Sequence, residues 1–253
     1  MIYHDAIAEN YDADRRGREH YPPNRLLAEI LERQKRAAVL DVGCGTGLWL
    51  AAQMASFAGR DVRWAGIDPS AGMLAIARRR IPDADLRQCG AEALPFPDAS
   101  FDFVVSITAS HHFSDKSRAL AEMARVTGAG GTIEVANIEP SKMPGWWPYT
   151  RFPKTRAIDV ERDCPADRVV RELEAHGFRA TISGQPGSAR IRLAEILAEA
   201  RRRTISQLAL LDDASYAEGV GALEADVAAD PDAEIDNEFA FLTVTAIQRR
   251  VRA

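Results

Sequence analysis

The chain has 253 residues, 46% hydrophobic and 27% charged, which is enough apolar material for one sizeable core. Lys plus Arg total 32 against 37 Asp plus Glu, and the resulting net charge of −5 opposes general binding to phosphate backbones. Three widely spaced cysteines (Cys44, Cys89, Cys164) fit neither a disulfide framework nor a zinc knuckle and suit a reducing cytoplasm, while no segment approaches the roughly 18 apolar residues of a membrane span.

Acids and arginines run through Met1 to Arg18, so export is not expected. Pro22 and Pro23 start a helix over about Asn24 to Lys35, with Leu26, Leu27, Ile30 and Leu31 at helical spacing. A strand from Val39 to Val42 enters the turn Gly43-Cys44-Gly45-Thr46-Gly47, and Leu48 to Phe57 reads as a helix. A second strand, Val62 to Ile67, stops at Asp68-Pro69-Ser70, and the helix Gly72 to Arg80 ends in three arginines that suit its dipole. Leu86 to Cys89, Phe101 to Ile107 and Thr132 to Asn137 are the next strands, with a helix from Ser117 to Thr127, closed by Gly128, before the last of them. This alternation predicts a parallel sheet with helices on both faces.

After Asn137 the pairs Glu139-Pro140 and Pro144-Gly145 and the run Trp146-Trp147-Pro148-Tyr149 read as too irregular for a crossover helix and predict a substrate-facing insertion. Trp146, Trp147, Tyr149 and Phe152 are expected to wall an apolar acceptor pocket or to pack a lid. A helix from Ala166 to His176 and a sixth strand, Phe178 to Ser183, resume the pattern. Helices at Leu193 to Arg203 and Tyr216 to Ala228 precede a last strand from Phe239 to Gln248. The basic run Arg201 to Arg203 reads as surface.

Ligands of open parallel sheets lie outside the carboxyl ends of the strands, and the chemistry-bearing residues sit there. Gly43, Gly45 and Gly47 let a backbone turn tightly and a ligand approach it. Asp41, two residues before this turn, would repel a diphosphate, which disfavours a nicotinamide-dependent oxidoreductase, but it suits a cationic amino group. Asp68 has the two oxygens needed to accept from a pair of hydroxyls. The plainer roles are a helix cap for Asp41, a turn start for Asp68 and loop packing for Cys44. His111 and His112 follow the fourth strand, and imidazole is matched to proton abstraction near neutral pH. Adjacent side chains rarely face one way, so at most one of the two is expected to be a base, and the plainer alternative is that one packs while the other orients a loop. Asn137 and Glu139 are second candidates at the acceptor, and Asp102 and Arg125 read as framework. Tyr3, His4, Tyr11, Arg15, Arg16, Arg18, His20 and Tyr21 are expected to form a cover that orders on ligand binding.

VLDVGCGTG, from Val39 to Gly47, resembles the first motif of class I S-adenosylmethionine-dependent methyltransferases, and GIDPSAGML, from Gly66 to Leu74, resembles the second. The segment AEALPFPDASFDFVV (Ala91 to Val105), His111-His112-Phe113 and ARVTGAGG (Ala124 to Gly131) are similar to later motifs of the small-molecule branch typified by ubiquinone and menaquinone methyltransferases. The resemblance implies an α/β, Rossmann-like doubly wound fold: a seven-stranded, mostly parallel sheet with its last strand antiparallel, plus a helical lid. It implies one domain over residues 1–253, with a lid segment at 1–23, a cofactor-binding core at 36–138, and lid or acceptor-site insertions at 139–165 and 186–230.

By the same resemblance the cofactor is S-adenosyl-L-methionine, the product S-adenosyl-L-homocysteine, and the reaction an in-line methyl transfer to oxygen, nitrogen or carbon of a small molecule. No metal, nucleic-acid or membrane partner is implied, and a homodimer is left open. A noncatalytic S-adenosylmethionine-binding regulator and a methyltransferase acting on RNA or protein are the alternatives. Residue by residue, Tyr11 would close over the cofactor, Asp41 would hold its amino group, and Gly43, Gly45 and Gly47 would form the turn beneath it. Asp68 would take the ribose hydroxyls, Pro69 and Met73 would flank the adenine, and the Ala91 N–H would meet an adenine nitrogen. Glu92 would stand in for an aspartate usual in relatives where this chain has Gly90, and Ile107 and Thr108 would flank the methionine portion. His111, His112 and Glu139 are the candidates for removing an acceptor proton.

Overall fold

The computed structural model describes residues 11–12, 21–203 and 205–248, so Tyr3, His4, Arg15, Arg16, Arg18 and His20 of the expected cover lie outside the described residues. Two compact units divide the chain. The first takes its described residues from 1–137, 164–183 and 243–253, and the second spans 138–163 and 184–242.

The first unit begins with α1 (Arg25–Arg33), β1 (Arg36–Val42), α2 (Leu48–Ser56), β2 (Asp61–Asp68), α3 (Ala71–Arg80) and β3 (Asp85–Gln88). It continues through β4 (Phe101–Ile107), α4 (Lys116–Val126) and β5 (Thr127–Ile138), and returns after the second unit's first segment as α7 (Ala166–Ala175) and β6 (Phe178–Ser183). The last strand, numbered β9 (Phe241–Gln248), completes a seven-stranded sheet in the order β3-β2-β1-β4-β5-β9-β6. β1 pairs parallel with β2 and β4, β2 with β3, and β4 with β5, whereas β9 pairs antiparallel with β6. The sheet is Rossmann-like and mostly parallel with the final strand reversed, as the sequence predicts.

Local chemistry explains the starts and stops. The Asn24 side chain accepts the Leu27 N–H at 3.0 Å to cap α1, and the buried Gln53 on α2 accepts the Asn24 N–H at 2.8 Å while donating to the Pro22 carbonyl at 3.0 Å. Ser70 caps α3 and Asp115 caps α4 in the same way. Leu27, Ile30 and Leu31 of α1, Trp49 and Leu50 of α2, and Val39, Phe103 and Val105 of the central strands form one apolar cluster. Central parallel strands are covered on both faces, which is why β1 and β4 are nearly continuous apolar runs. At the amino-terminal side, the Ala38 N–H donates to the Asp102 carboxylate at 2.8 Å and ties β1 to β4.

Two sequence expectations need correction here. Gly128 does not close a helix: α4 ends at Val126, and the glycine-rich run is extended, so β5 starts at Thr127 with a register shift opposite Phe101 and Phe103. The insertion is helical where irregularity was expected, with α5 (Trp147–Arg151) and α6 (Lys154–Arg162). Pro148 occupies the first turn of α5 and Pro153 the N-cap of α6, positions where a missing N–H costs nothing.

The second unit holds these helices together with α8 (Leu193–Arg202), α9 (Ser206–Ala209) and α10 (Asp213–Ala229). It also contains a two-stranded antiparallel sheet of β7 (Gly187–Arg192) and β8 (Glu234–Phe239). Trp147 and Phe152 are core residues of this unit, packed with Leu193, Ile196, Leu208 and Leu223, so they do not wall an exposed pocket. The Tyr149 hydroxyl donates to the buried Asp159 at 2.7 Å, which also takes the Gln207 amide and the Arg162 guanidinium. Burial and the Asp159 charge push the Tyr149 phenol up, which keeps it a neutral donor. Among the described residues no helix is long and apolar enough to cross a membrane.

Candidate functional site

β1 and β2 end side by side, and each delivers an acid. Asp41 pairs with Gly66 in the β1–β2 register and is 3% exposed. Burial, reinforced by the negative charge of Asp68, pushes its carboxyl up to about 8. No hydrogen bond reaches that carboxyl from any described residue, and its oxygens are not among the fully enclosed unpartnered atoms, so they keep a sliver of exposure at the strand end. Such a group is costly to bury and becomes favourable when a cation meets it. Asp41 caps no helix, since Gly47 is the N-cap of α2.

Asp68 is 9% exposed and is held by backbone: Oδ2 accepts the Gly45 N–H and Oδ1 the Ser70 N–H, each at 2.9 Å. The acid that ends β2 thereby fixes the glycine turn that follows β1. A carboxylate, with two acceptor oxygens, is the group suited to a vicinal diol.

The three glycines of the turn all have left-handed backbones but differ in what surrounds them. A Cβ at Gly43 would lie 2.5 Å from the Ala109 Cβ, and one at Gly47 would lie 2.9 Å from Ile81 Cδ1, so both are glycine for packing as well as for conformation. A Cβ at Gly45 would stand in open space, which makes it the point where a ligand can lie against the backbone. Cys44 is buried with its sulfur against Gly66, and burial first, then the charge of Asp41, pushes its thiol up, as befits a packing residue rather than a nucleophile.

The other expected cofactor contacts are less uniform. Pro69 is exposed and its carbonyl accepts from Gln88, while Met73 is 1% exposed and its N–H serves the Ser70 cap, so Met73 packs inside the fold. Ala91 is buried. Glu92 Oε1 takes the Ser114 N–H, the Ser114 hydroxyl and the Asp115 N–H at 2.6, 2.8 and 3.2 Å. Its Oε2 lies 2.7 Å from where a Cβ at Gly90 would be, so this carboxylate fills the space of the missing side chain. Ile107 packs against the apolar cluster of the first unit. Thr108 has φ +51°, an outlier for a β-branched residue, and its N–H is tied to the Ala136 carbonyl at 2.8 Å. Tyr11 is half-buried, and its neighbour Asp12 is buried.

His111 and His112 lie in a 3₁₀ turn, Ser110–His112, just past β4. Their ring centroids are 4.0 Å apart, so the expectation that neighbours diverge does not hold: the tight turn brings both rings together. His111 Nδ1 is 3.1 Å from Asn137 Oδ1, and the Asn137 amide donates to the Ser110 hydroxyl at 2.9 Å. Asn137 and Ser110 are buried, so the turn after β4 and the end of β5 are locked by one polar network. The Asn137 amide is turned toward Ser110, which leaves its Oδ1 to accept an Nδ1–H from His111. Glu139 belongs to the second unit, where its side chain accepts from Ser141 and its N–H meets the Ala240 carbonyl.

Arg125 forks onto Glu122 and also reaches Asp98 and the carbonyls of Leu94 and Phe96, framing the loop between β3 and β4. Sequence reasoning passed over a second polar knot. The Thr46 hydroxyl donates to Asp12 Oδ1 at 2.7 Å, Arg80 donates to Asp12 Oδ2, and Arg80 Nη1 donates to the Thr46 carbonyl at 2.5 Å. These residues lie 34 and 68 positions from Asp12, a pairing that no local pattern announces. Among the described residues no group of three or more His, Cys, Asp or Glu is arranged to hold a metal.

Residues 39–131 match the model of a methyltransferase domain family. A demethylmenaquinone methyltransferase of Listeria welshimeri is 35% identical over 132 residues, covering 50% of this chain and 56% of that protein. A phthiotriol/phenolphthiotriol dimycocerosates methyltransferase of Mycobacterium leprae is 38% identical over 136 residues, covering 49% of this chain and 48% of that protein. The chain thus spans about half the length of the curated relatives it matches. Among solved structures, a protein described as a methyltransferase of an antibiotic biosynthesis pathway from Anabaena variabilis superposes with a TM-score of 0.68 at 25% identity, over 88% of this chain and 97% of that one.

Proposed function

We propose that this chain is a class I S-adenosylmethionine-dependent methyltransferase similar to the quinone methyltransferases, and that it methylates a small, largely apolar acceptor with Asp41 and Asp68 as its principal cofactor-holding acids. The observation that carries the reading is the donorless buried carboxyl of Asp41 beside an open glycine turn. A ligand bearing an ammonium and a sulfonium supplies the cation that this acid lacks, whereas a dinucleotide would bring phosphates against it. Asp68 faces the same turn and is preorganised by two backbone donors to accept from a ribose diol without moving.

Bound S-adenosylmethionine supplies an electrophilic methyl group on sulfur and leaves as S-adenosylhomocysteine. What the protein must add is alignment, exclusion of water and, for an O–H or N–H acceptor, a place for the proton. His111 supplies that place: Asn137 holds its Nδ1–H, and Nε2 takes the proton as the acceptor bonds to carbon. Glu139 is the second candidate, and Glu139→Gln compared with His111→Ala separates the two. The relatives are named for a demethylated quinone and for lipid triols, so apolar acceptors of these two kinds head the screen.

The decisive experiment is calorimetric titration of cofactor-stripped protein with S-adenosylmethionine and S-adenosylhomocysteine, followed by transfer of labelled methyl to candidate acceptors. Binding of both ligands at about micromolar Kd, a ΔG of about −8 kcal/mol, is expected. Folded protein that binds neither removes the reading. Tight binding without transfer to any acceptor leaves a noncatalytic S-adenosylmethionine-binding protein in its place.

A further inference from the structure

We propose that Asp12 is a positioning residue for the glycine turn: its carboxylate ties the Tyr11–Asp12 pair to Thr46 and Arg80, so that this contact and ligand binding at the turn favour each other. The inference rests on the turn being the cofactor site. Asp12 touches no part of that site directly in this arrangement and acts through Thr46.

The geometry is a closed ring of three residues, with the Thr46 backbone carbonyl as one of its links. Asp12 Oδ1 accepts the Thr46 hydroxyl at 2.7 Å, Oδ2 accepts from Arg80 Nη2, and Arg80 Nη1 returns to the Thr46 carbonyl at 2.5 Å. Thr46 is 1% exposed and stands between Gly45, which meets open space, and Gly47, which caps α2. The turn is therefore gripped from two directions by acids: Asp68 holds the Gly45 amide, and Asp12 holds the Thr46 hydroxyl. Arg80 alone would suffice to tie the end of α3 to the turn. A second acid, brought from far upstream and buried, is desolvated without need unless it fixes something that must stay fixed. What it fixes is Thr46, set between the left-handed Gly45 and Gly47, on one side and the Tyr11–Asp12 pair on the other. Coupling of this kind is reciprocal: a ligand that needs the ordered turn binds more tightly when this contact is made, and it strengthens the contact by the same factor.

The test pairs hydrogen exchange with binding, using wild type, Asp12→Ala, Arg80→Ala, the double variant and Arg80→Lys, all in the full chain. Without cofactor, Asp12→Ala is expected to speed exchange of amides in both the Tyr11–Asp12 and the Gly43–Gly47 peptides while the central strands β1 and β4 stay protected. Kd for S-adenosylhomocysteine is expected to weaken about tenfold in Asp12→Ala, inside the roughly 5–150-fold range of ordinary coupling. The double variant should be no weaker than the worse single, because both break one ring, and Arg80→Lys should recover part of the loss. In wild type the ligand should slow exchange at Tyr11–Asp12. Unchanged exchange at Gly43–Gly47 in a folded Asp12→Ala protein overturns the clamp whether or not cofactor binds. Exchange that rises with Kd unchanged overturns the coupling. Wild-type protein that binds no cofactor overturns the methyltransferase reading itself and the coupling with it.

Discussion

Asp41 makes the site proton-linked. Its carboxyl is pushed up to about 8 by burial and by Asp68, against an ordinary 3.8 in the unfolded chain, so the folded protein binds the extra proton between those values. Stability from this group therefore falls as pH rises from about 4 to about 8, and Asp41→Asn should flatten that slope in urea melts taken across the range. An ammonium beside Asp41 drives the proton off. Cofactor binding should thus release close to one proton at about pH 6–7 and tighten as pH rises there, read by calorimetry in buffers of different ionisation enthalpy. Asp41→Asn should abolish the release. Asp68→Asn should weaken binding by about 1–3 kcal/mol, since an amide cannot accept from both the Gly45 and Ser70 N–H groups and a diol as well. His111→Ala should instead lower turnover by about 10²–10⁴-fold with cofactor Kd nearly unchanged, and unchanged turnover across the pH profile would reduce the ring to a packing role. Both strand-end acids were legible because a turn follows each strand. Asp12 was not, because its meaning lies in partners 34 and 68 residues away.

At the level of the element, the glycine turn separates conformation from contact. Gly45→Ala and Gly47→Ala both place a side chain on a left-handed backbone, at about 1–2 kcal/mol each. Gly47→Ala also drives its methyl against Ile81 and Ala77, so it should lower stability further than Gly45→Ala does in denaturant melts. Gly45→Ala should fold but lose cofactor affinity, and a Gly45→Ala protein that binds normally would move the ligand off this turn. The strands β4 and β6 were legible at their observed bounds because each is a compact run entered at a buried phenylalanine. The β7–β8 ribbon was missed because its cross-strand pairs, such as the diagonal Arg190 and Glu234, are exposed and joined by charge, leaving no apolar alternation to read. Helices α5 and α6 were missed because Pro148 and Pro153 look like breakers when they stand at helix starts. Phe152, fully enclosed in the second unit's core, should cost about 3–5 kcal/mol of that unit's stability on replacement by alanine, read as an earlier unfolding transition.

Across the whole molecule, the family match and the first unit's central strands coincide: residues 39–131 carry the motifs, both strand-end acids and the His111 turn, and they were readable as one block. The rest was legible as topology and not as chemistry, because the second unit spends its aromatic residues on its own core. The sheet order has a further consequence for synthesis. β9 is the neighbour of both β5 and β6, yet it is translated only after residues 184–240, nearly all of the second unit's later segment, have been made. Until then two edges of a nascent sheet present unpaired amides and carbonyls, with Ile182 already facing outward on β6. A ribosome that stalls or a message that ends before residue 241 would release a chain with an open seam in its largest sheet. Such fragments should aggregate where the full chain does not, which makes the strand Phe241–Gln248 the step at which newly made protein becomes safe.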